Sequence, residues 1–382
     1  MSTVSEILSQ STFSRTDIVR LLSATDPDEV EAIRRTACEV LERTCGIKVY
    51  YRGLIEFSNR CVNNCAYCGI RAGNRQVRRY RLSEEEILRQ ALWCAAQGYG
   101  SVVLQSGECR DEDFISFVER VVRRIRTETV SSRLPRGVGI TLCVGEQSRE
   151  TYERFFAAGA HRYLLRIETS DPELYAKLHP PSQDFWARVA CLRTLRAIGF
   201  QVGTGVMIGL PEQTVEHLAA DVEFFRDMDV DMIGMGPYIP HAHTPLGVPG
   251  VSVIPPAAQR LELSLRMIAV CRIVLPDVNI AATTALQALV SDGRERGLLH
   301  GANIIMPLLT PTAVRKDYLL YDGKPCVDES ADQCRACLAR RIAAVGRAVA
   351  VDEWGDSPHA RVRTRTGAGV PPPGKPRVEN AG

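Results

Sequence analysis

The chain has 382 residues, of which 45% are hydrophobic, so it can bury a full core in one large domain or two ordinary ones. Its net charge of +2, with acidic and basic residues interspersed, provides no electrostatic surface for nucleic acid or an anionic membrane, and neither is expected as a partner. The odd number of 13 cysteines and the lack of a basic-then-apolar N-terminus indicate a reducing cytoplasm, and no apolar run reaches the roughly 18 residues of a membrane span.

The first 48 residues are predicted to form helices that precede the main domain. Apolar residues such as Ile7, Ile18, Ile33 and Leu41 recur at near-helical spacing in this segment. We therefore expect a helical N-terminal segment over residues 1–48.

After this segment, apolar runs alternate with helical patterns over residues 49–310. The helical pattern at 83–97 opens with a capping box formed by Ser83 and Glu86. The predicted strands are 49–57, 101–105, 138–144, 162–167, 201–208, 231–235, 279–283 and 303–306. Eight strands with helices between them predict an α/β fold, a (β/α)8 TIM barrel with a parallel sheet. In such barrels the chemistry lies on the loops that follow the strands.

Directly after the first predicted strand, Cys61, Cys65 and Cys68 follow one another at Cys-x3-Cys-x2-Cys spacing. Thiolates on one short loop favour zinc or an iron-sulfur cluster. A closed zinc site needs four protein ligands, and no fourth Cys or His lies close by in the sequence. An iron-sulfur cube with one open iron therefore fits better than a structural zinc knuckle or chance thiols in a loop.

Polar residues also follow other predicted strands. Residues 105–108 (Gln-Ser-Gly-Glu) follow the second strand, Arg166 and Glu168 end the fourth, and Thr283 and Thr284 end the seventh. Because Arg166 and Glu168 alternate with apolar residues, both are expected to face the barrel interior. The structural alternatives are a simple turn, an internal ion pair and residues that merely favour strands.

The glycine-spaced run at 203–211 follows the same barrel pattern. Its glycines either let a ligand approach the backbone closely or mark tight packing between strands.

Beyond the barrel, residues 311–350 are expected to form an extension with a second soft-ligand group. Cys326, Cys334 and Cys337 lie there at Cys-x7-Cys-x2-Cys spacing, ahead of a helix predicted near 338–345. Three interpretations of these cysteines remain open, namely a second iron-sulfur cluster, a zinc site and surface thiols that bind no ligand. Residues 351–382 lack an apolar face and are expected to be disordered.

The cysteine motif, with Tyr67 before its last cysteine, resembles the signature of the radical S-adenosylmethionine (radical SAM) superfamily. Further segments, among them IEFSNRCVNNCAYCGIR, RYLLRIET and DMIGMGPYIPHAHTP, resemble the HydE family of FeFe-hydrogenase maturases, which are relatives of biotin synthase. The resemblance extends from about residue 36 to residue 345.

This resemblance implies two cofactors. A 4Fe-4S cluster is expected on Cys61, Cys65 and Cys68, with SAM chelating its fourth iron and undergoing reductive cleavage to a 5'-deoxyadenosyl radical. A second cluster, 2Fe-2S or labile, is expected on Cys326, Cys334 and Cys337. The residues expected to bind SAM are Tyr67, Ser106, Gly107, Glu108, Glu168 and Arg188.

The resemblance also implies a role in assembling the two-iron subcluster of the hydrogenase. The expected substrate is an organometallic iron-cysteine species that carries carbon monoxide and cyanide. The expected partners are the other hydrogenase maturases and an electron donor such as ferredoxin or flavodoxin. The residues expected to line an anion-accepting cavity are Gln105, Thr141, Arg166, Thr283, Thr284 and Tyr321.

Two other functions remain open on the sequence. One is a biotin synthase-like or methylornithine synthase-like radical SAM enzyme that acts on an amino acid. The other is a non-catalytic iron-sulfur or zinc scaffold that shares the barrel.

Overall fold

A computed structural model of the protein describes residues 2–250 and 252–366. The predicted alternation is present, and each predicted strand region contains at least one strand. The strands are β1 (Lys48–Ser58), β2 (Ser101–Ser106), β3 (Gly139–Cys143), β4 (Arg162–Leu164), β5 (Gln201–Thr204), β6 (Met207–Ile208), β7 (Met232–Ile233), β8 (Gly236–Pro237), β9 (Asn279–Ile280), β10 (Ile304–Ile305) and β11 (Ala348–Val349).

Eight of these strands form one closed parallel sheet. Their order is β10-β1-β2-β3-β4-β5-β7-β9, and β6 pairs with β8 separately. The two ends of the path meet, because Ala281 bridges Ile304 and the amide of Asn303 donates to the Ile280 carbonyl at 2.9 Å. The expected (β/α)8 barrel is therefore confirmed.

The helices cover the outside of this barrel and precede it at the N-terminus. Together with a 3-10 turn at Pro245–Gly247, they are α1 (Val4–Leu8), α2 (Arg15–Leu22), α3 (Pro27–Thr44), α4 (Glu84–Ala96), α5 (Glu112–Glu128), α6 (Arg149–Ala158), α7 (Pro172–Leu178), α8 (Phe185–Ile198), α9 (Val215–Asp227), α10 (Ala257–Val274), α11 (Thr284–Leu289), α12 (Gly293–Leu299), α13 (Thr312–Arg315), α14 (Ala331–Ala344) and α15 (Pro358–Thr366). None of the helices in the described ranges is both long and apolar enough to cross a bilayer.

Helix α5 illustrates how the sequence covers the sheet. Phe114, Val118, Val121 and Ile125 recur every three or four residues, and all four are buried. Each such side chain contributes roughly 1.5–3 kcal/mol when it leaves water. The capping box predicted at Ser83 is also present, with Ser83 and Glu86 each bonded to the other's backbone amide at the start of α4.

The glycines of the 203–211 run mark close packing between strands. A Cβ atom on Gly205 would lie 2.0 Å from the carbonyl oxygen of Gly234, so no side chain fits at this position between the two chain segments. For Gly205, tight packing therefore accounts for the glycine.

The C-terminal segment closes the end of the barrel where the strands begin. Arg52 donates to the carbonyl of Gly355 at 3.1 Å, and Arg162 donates to the Trp354 carbonyl at 2.9 Å and to the Asp356 carboxylate at 2.8 Å. Both arginines are buried, and buried charges need such partners. The expectation that residues 351–382 lack structure is therefore wrong for 351–366, while 367–382 lie outside the described residues.

Helix α14 begins at Ala331, seven residues before the predicted start near 338. Ser330 and Gln333 form a capping box that fixes this earlier start, and the prediction overlooked it. Cys334 and Cys337 consequently lie one helical turn apart.

Candidate active site

A cavity of about 290 Å3 opens at the ends of the barrel strands, among the loops that follow them. Most of the residues predicted for cofactor or substrate binding line it, although they are spread over 260 positions of the sequence. These residues are Cys61, Cys65, Tyr67, Cys68, Gln105, Ser106, Gly107, Glu108, Arg166, Glu168, Arg188, Thr283, Thr284 and Tyr321.

The cysteine loop is shaped around one guanidinium group. Arg79 donates to the carbonyl oxygens of Asn59 and Ile70 at 2.6 and 2.7 Å. It also donates to those of Arg71 and Asn74 at 2.5 and 3.1 Å. One carbonyl group before the three cysteines and three carbonyl groups after them are thus bound by the single side chain of Arg79. This fixes the loop without regular secondary structure.

The three thiols of this loop line the cavity and are partly buried, and that of Cys65 donates to Gln183 Oε1 at 3.2 Å. Burial, with the neighbouring Cys61, raises the pKa of Cys68 to about 12, and burial and the other two cysteines raise that of Cys65 as well. Within the described ranges, no three His, Cys, Asp or Glu side chains are placed to share one metal ion. A cube gives each thiolate its own iron and offsets most of their negative charge, so this donor set fits a 4Fe-4S cluster.

The turn after β2 touches the cysteine loop directly. The amide of Gly107 donates to the Ser58 carbonyl at 2.9 Å. A Cβ atom on Gly107 would lie 2.3 Å from the Arg60 carbonyl oxygen and 2.7 Å from the Cys61 Cβ atom. Glycine is therefore needed where the two loops meet.

The carboxylate of Glu108, in the same turn, is already engaged within the protein. Its Oε1 accepts from Arg110 Nε at 2.9 Å, and its Oε2 accepts from the Glu146 amide at 2.8 Å. Part of its acceptor capacity remains for a ligand, because an ionised carboxylate offers about four acceptor sites.

Glu168 has an unusual backbone and an unsatisfied oxygen. Its φ of 67° is a left-handed conformation that glutamate rarely adopts. Its Oε1 accepts from Arg166 Nε at 3.0 Å and from the Tyr67 hydroxyl at 3.4 Å, whereas Oε2 is buried and has no partner among the described residues. A buried acceptor without a donor is costly, so the cavity fits a ligand with hydroxyl donors such as a ribose.

A histidine that the sequence analysis missed supports Tyr67. His179 Nε2 lies 3.4 Å from the Tyr67 hydroxyl, and Nδ1 lies 3.0 Å from the Tyr175 carbonyl oxygen. Burial, together with the charge of Arg188, lowers the pKa of His179 to about 3. The neutral ring therefore donates from Nδ1, and its Nε2 shares the single proton of the Tyr67 hydroxyl with Glu168 Oε1.

Arg188 is buried and braces the same wall. It donates from Nε to Glu146 and from Nη1 to the Arg166 carbonyl at 2.7 Å. In the described part of the chain its second terminal amino group donates to no protein acceptor, and it is the donor left for a ligand carboxylate.

The residues predicted for the substrate cavity fall into two groups. Gln105, Arg166, Thr283, Thr284 and Tyr321 line the cavity. The Thr283 hydroxyl oxygen is buried and has no partner in residues 2–250 and 252–366, so it is available to a ligand.

Thr141 does not line this cavity, and the expectation for it is wrong. Its hydroxyl oxygen accepts from Arg162 Nε at 3.0 Å, deeper in the barrel. It lines a much smaller cavity of about 20 Å3 beside Arg52 instead. The buried guanidinium of Arg162 needs an acceptor there, which holds Thr141 below the main cavity.

Two charged residues in the cavity wall were missed by the sequence analysis. Glu56 of β1 and Lys324 line the cavity as a buried ion pair, 2.5 Å apart. The signal for Glu56 was a charge inside an otherwise apolar strand. Lys324 had no such signal, because it lies in an irregular segment.

In the second cysteine group, Cys326 and Cys337 are not among the described residues that line this cavity. Arg315 donates to the carbonyl of Cys326 at 2.8 Å, and Cys326 has a φ of 64°. Cys337 is exposed, and the Cys334 side chain lies outside the described residues.

Comparison with known proteins adds to this geometry. The Radical SAM superfamily model matches residues 55–225. The chain is 41% identical over 355 residues to the FeFe-hydrogenase maturase subunit HydE of Thermotoga maritima, covering 92% of this chain and 95% of that protein. It is 28% identical over 307 residues to the 3-methylornithine synthase of Methanosarcina acetivorans, covering 80% and 82%. The crystal structure of a methylornithine synthase matches with a TM-score of 0.74 at 25% identity, covering 92% of this chain and 98% of that one.

Proposed function

The chain belongs to the HydE family of radical SAM enzymes, and we propose from this membership that it acts in the maturation of an FeFe hydrogenase. The observation that carries the proposal is the 41% identity to a HydE protein over nearly the whole of both chains. As a member of this family the protein uses a 4Fe-4S cluster and SAM. The work of a HydE protein implies that it acts with other hydrogenase maturases.

Cys61, Cys65 and Cys68 hold the cluster in this proposal. When bound, the cluster and SAM supply the electron transfer that cleaves SAM reductively and yields the 5'-deoxyadenosyl radical. Arg79 fixes the loop that presents the three thiolates.

The SAM contacts follow from the donors and acceptors left unpaired. Glu168 Oε2 accepts from ribose hydroxyls, and the remaining amino group of Arg188 binds the carboxylate. Residues 106–108 (Ser-Gly-Glu) receive the amino group, and Tyr67 contributes an aromatic surface beside the cluster.

The substrate occupies the rest of the cavity, on the side of Thr283, Thr284 and Tyr321. We propose an organometallic iron-cysteine species with carbon monoxide and cyanide ligands. Arg166 uses only its Nε within the described residues, so both terminal amino groups can donate to an anionic substrate. Gln105 and the free hydroxyl of Thr283 add hydrogen-bonding groups.

The second cysteine group is proposed to hold a 2Fe-2S or labile cluster on Cys326, Cys334 and Cys337. The positions of the last two residues on α14 support it, because positions i and i+3 lie on the same face of a helix. An electron donor of the ferredoxin or flavodoxin type is proposed to reduce the cavity cluster.

Two assays on the anaerobically reconstituted protein test this function. With SAM and a strong reductant, the wild type is expected to release 5'-deoxyadenosine, and SAM is expected to change the EPR spectrum of the reduced cluster. Cys65→Ser should lose both. Cys38→Ser is the matched control, because Cys38 donates to the Leu299 carbonyl and serine can do the same.

The second assay measures maturation itself. The protein is added to a cell-free mixture of apo-hydrogenase and the other maturases that lacks HydE. Wild-type protein should restore hydrogen evolution and Cys65→Ser should not. SAM cleavage without restoration, or turnover of lysine instead, would contradict the proposed function.

A further inference from the structure

The segment that carries the three cysteines has an unusual charge. Residues 57–83 contain six arginines and no acidic residue, in a chain whose 47 basic and 45 acidic residues nearly balance. The six are Arg60, Arg71, Arg75, Arg78, Arg79 and Arg81.

Three of these arginines serve the fold. Arg79 holds the loop carbonyls, Arg78 pairs with Asp317 at 2.5 Å, and Arg81 pairs with Asp113 at 2.7 Å. Their charges are therefore used within the protein.

The other three, Arg60, Arg71 and Arg75, have no carboxylate within 4 Å in the part of the chain that the structure describes. Arg60 and Arg75 are exposed, and Arg71 is half-buried. By contrast, Arg120, Arg123 and Arg124 of α5 all pair with glutamates. The loop face thus carries a net positive charge directly beside the cluster ligands.

An exposed apolar side chain accompanies these charges. Val62, next to the ligand Cys61, is 60% exposed. Apolar groups within a charged rim are typical of protein interfaces rather than of sites for small ions. We call Arg60, Val62, Arg71 and Arg75 the basic loop face.

We propose that the basic loop face docks an acidic one-electron carrier protein, an inference that rests on the proposed radical SAM function. Each reductive cleavage of SAM consumes one electron, which must enter from outside. One electron leaves the reduced iron-sulfur or flavin centre of the carrier and enters the 4Fe-4S cluster, with no proton or group transferred. The loop that supplies the cluster ligands is also a surface whose charge attracts an acidic carrier and orients it toward the cluster.

The test uses reconstituted holoenzyme and a photoreduced acidic 2Fe-2S ferredoxin as the probe. The variant is Arg60→Gln/Arg75→Gln. Its control is Arg35→Gln/Arg43→Gln, which removes two exposed positive charges from α3, the helix that leads into the start of β1 at the opposite end of the barrel. Stopped-flow absorbance measures the second-order rate of cluster reduction.

At low ionic strength the loop variant should be reduced about tenfold more slowly than the wild type, and the control should not. The difference should shrink at about 0.5 M salt, where charges are screened within a few ångströms. Reduction by titanium(III) citrate and the subsequent release of 5'-deoxyadenosine should be the same in all three proteins. These results would separate docking from chemistry.

Equal rates for variant and wild type with ferredoxin, or equal slowing of the control, would overturn the docking proposal. A wild type that releases no 5'-deoxyadenosine with titanium(III) citrate would instead overturn the proposed function. The two failures are therefore distinguishable.

Discussion

Lys324 and Glu56 form an ion pair inside the barrel, 268 positions apart in sequence, with side chains only 7% and 2% exposed. Lys324 also donates to the Tyr318 carbonyl at 3.1 Å. Because Cys326 follows two residues later, this pair ties the segment with the second cysteine group to the first strand of the barrel. It also makes the segment a wall of the cavity.

Breaking this pair from one side is expected to destabilise the protein. Burial raises the pKa of Glu56, and the charges of Lys324 and, more weakly, Arg315 oppose that effect, so Lys324→Met removes the paired charge of a buried carboxylate. We expect a loss of about 3–5 kcal/mol in unfolding free energy, measured by urea denaturation of the anaerobic holoprotein. The double variant Glu56→Gln/Lys324→Met should recover most of the loss. Additive losses in the double variant would show that the two charges do not interact.

Glu168→Gln is expected to weaken SAM binding. The substitution keeps the shape and removes the charge of the carboxylate whose Oε2 has no protein partner. Hydrogen bonds to a charged group contribute about 1.5–3 kcal/mol, so the dissociation constant for SAM should rise about tenfold or more. EPR titration of the reduced cluster with SAM measures it. The iron content of Glu168→Gln should be unchanged. Glu173→Gln, which alters an exposed residue, is the control and should bind SAM like the wild type. An unchanged dissociation constant for Glu168→Gln would exclude a role of Glu168 in SAM binding.

Gly107→Ala is expected to disturb cluster assembly. The added methyl group would clash with the Arg60 carbonyl and with the Cβ atom of Cys61. No change of side-chain rotamer can remove these clashes, because neither atom moves when a side chain rotates. Moving the turn shifts the cysteine loop, so iron and sulfide bound per chain should fall by roughly half or more. The control is Gly234→Ala, because its nearest neighbour would lie 3.7 Å away. Full iron content in Gly107→Ala would mean that the loops can separate without cost.

The barrel and the position of the cysteine loop could be predicted from the sequence, because both depend on local signals. Strands such as β2 are short apolar runs, and the caps at Ser83 and Asp184 set helix starts within a residue or two. Residues 105–108 and Glu168 could be placed at the cavity because they directly follow strands.

The contacts that depend on long-range pairing could not be predicted in the same way. Lys324 reaches Glu56 only through the path of an irregular segment. The structure of residues 351–366 depends on Arg52 and Arg162, whose need for partners is not visible in the C-terminal sequence itself. Thr141 was misplaced for a related reason, since strand position fixes the face of a residue but not its depth in the barrel.

The last prediction concerns the attachment of α15 and its dependence on pH. His359 lies 2.7 Å from the Asp229 carboxylate and 3.1 Å from that of Asp277, and these hydrogen bonds raise its pKa from 6.5 to about 9. A pKa raised by folding stabilises the protein fully below the unfolded value, and this stabilisation is lost as the pH rises through the folded value. The difference in thermal midpoint between wild type and His359→Gln should therefore be largest at about pH 6 and should disappear at about pH 10.

His300→Gln provides the control for this prediction. Burial lowers the pKa of His300 from 6.5 to about 4, so near pH 6 its ring takes up a proton only in the unfolded protein. The gap in midpoint for His300→Gln should therefore be constant above about pH 8 and shift in the direction opposite to that of His359→Gln as the pH falls toward about 6. Groups that do not interact with His359 titrate alike in wild type and variant and cancel in the difference, and its partners Asp229 and Asp277 have lowered pKa values in the wild type. A gap for His359→Gln that stays constant or widens with pH would show that the two carboxylates do not hold a charged imidazolium, and that α15 is attached by its other contacts, such as that of Arg363 with Asp231.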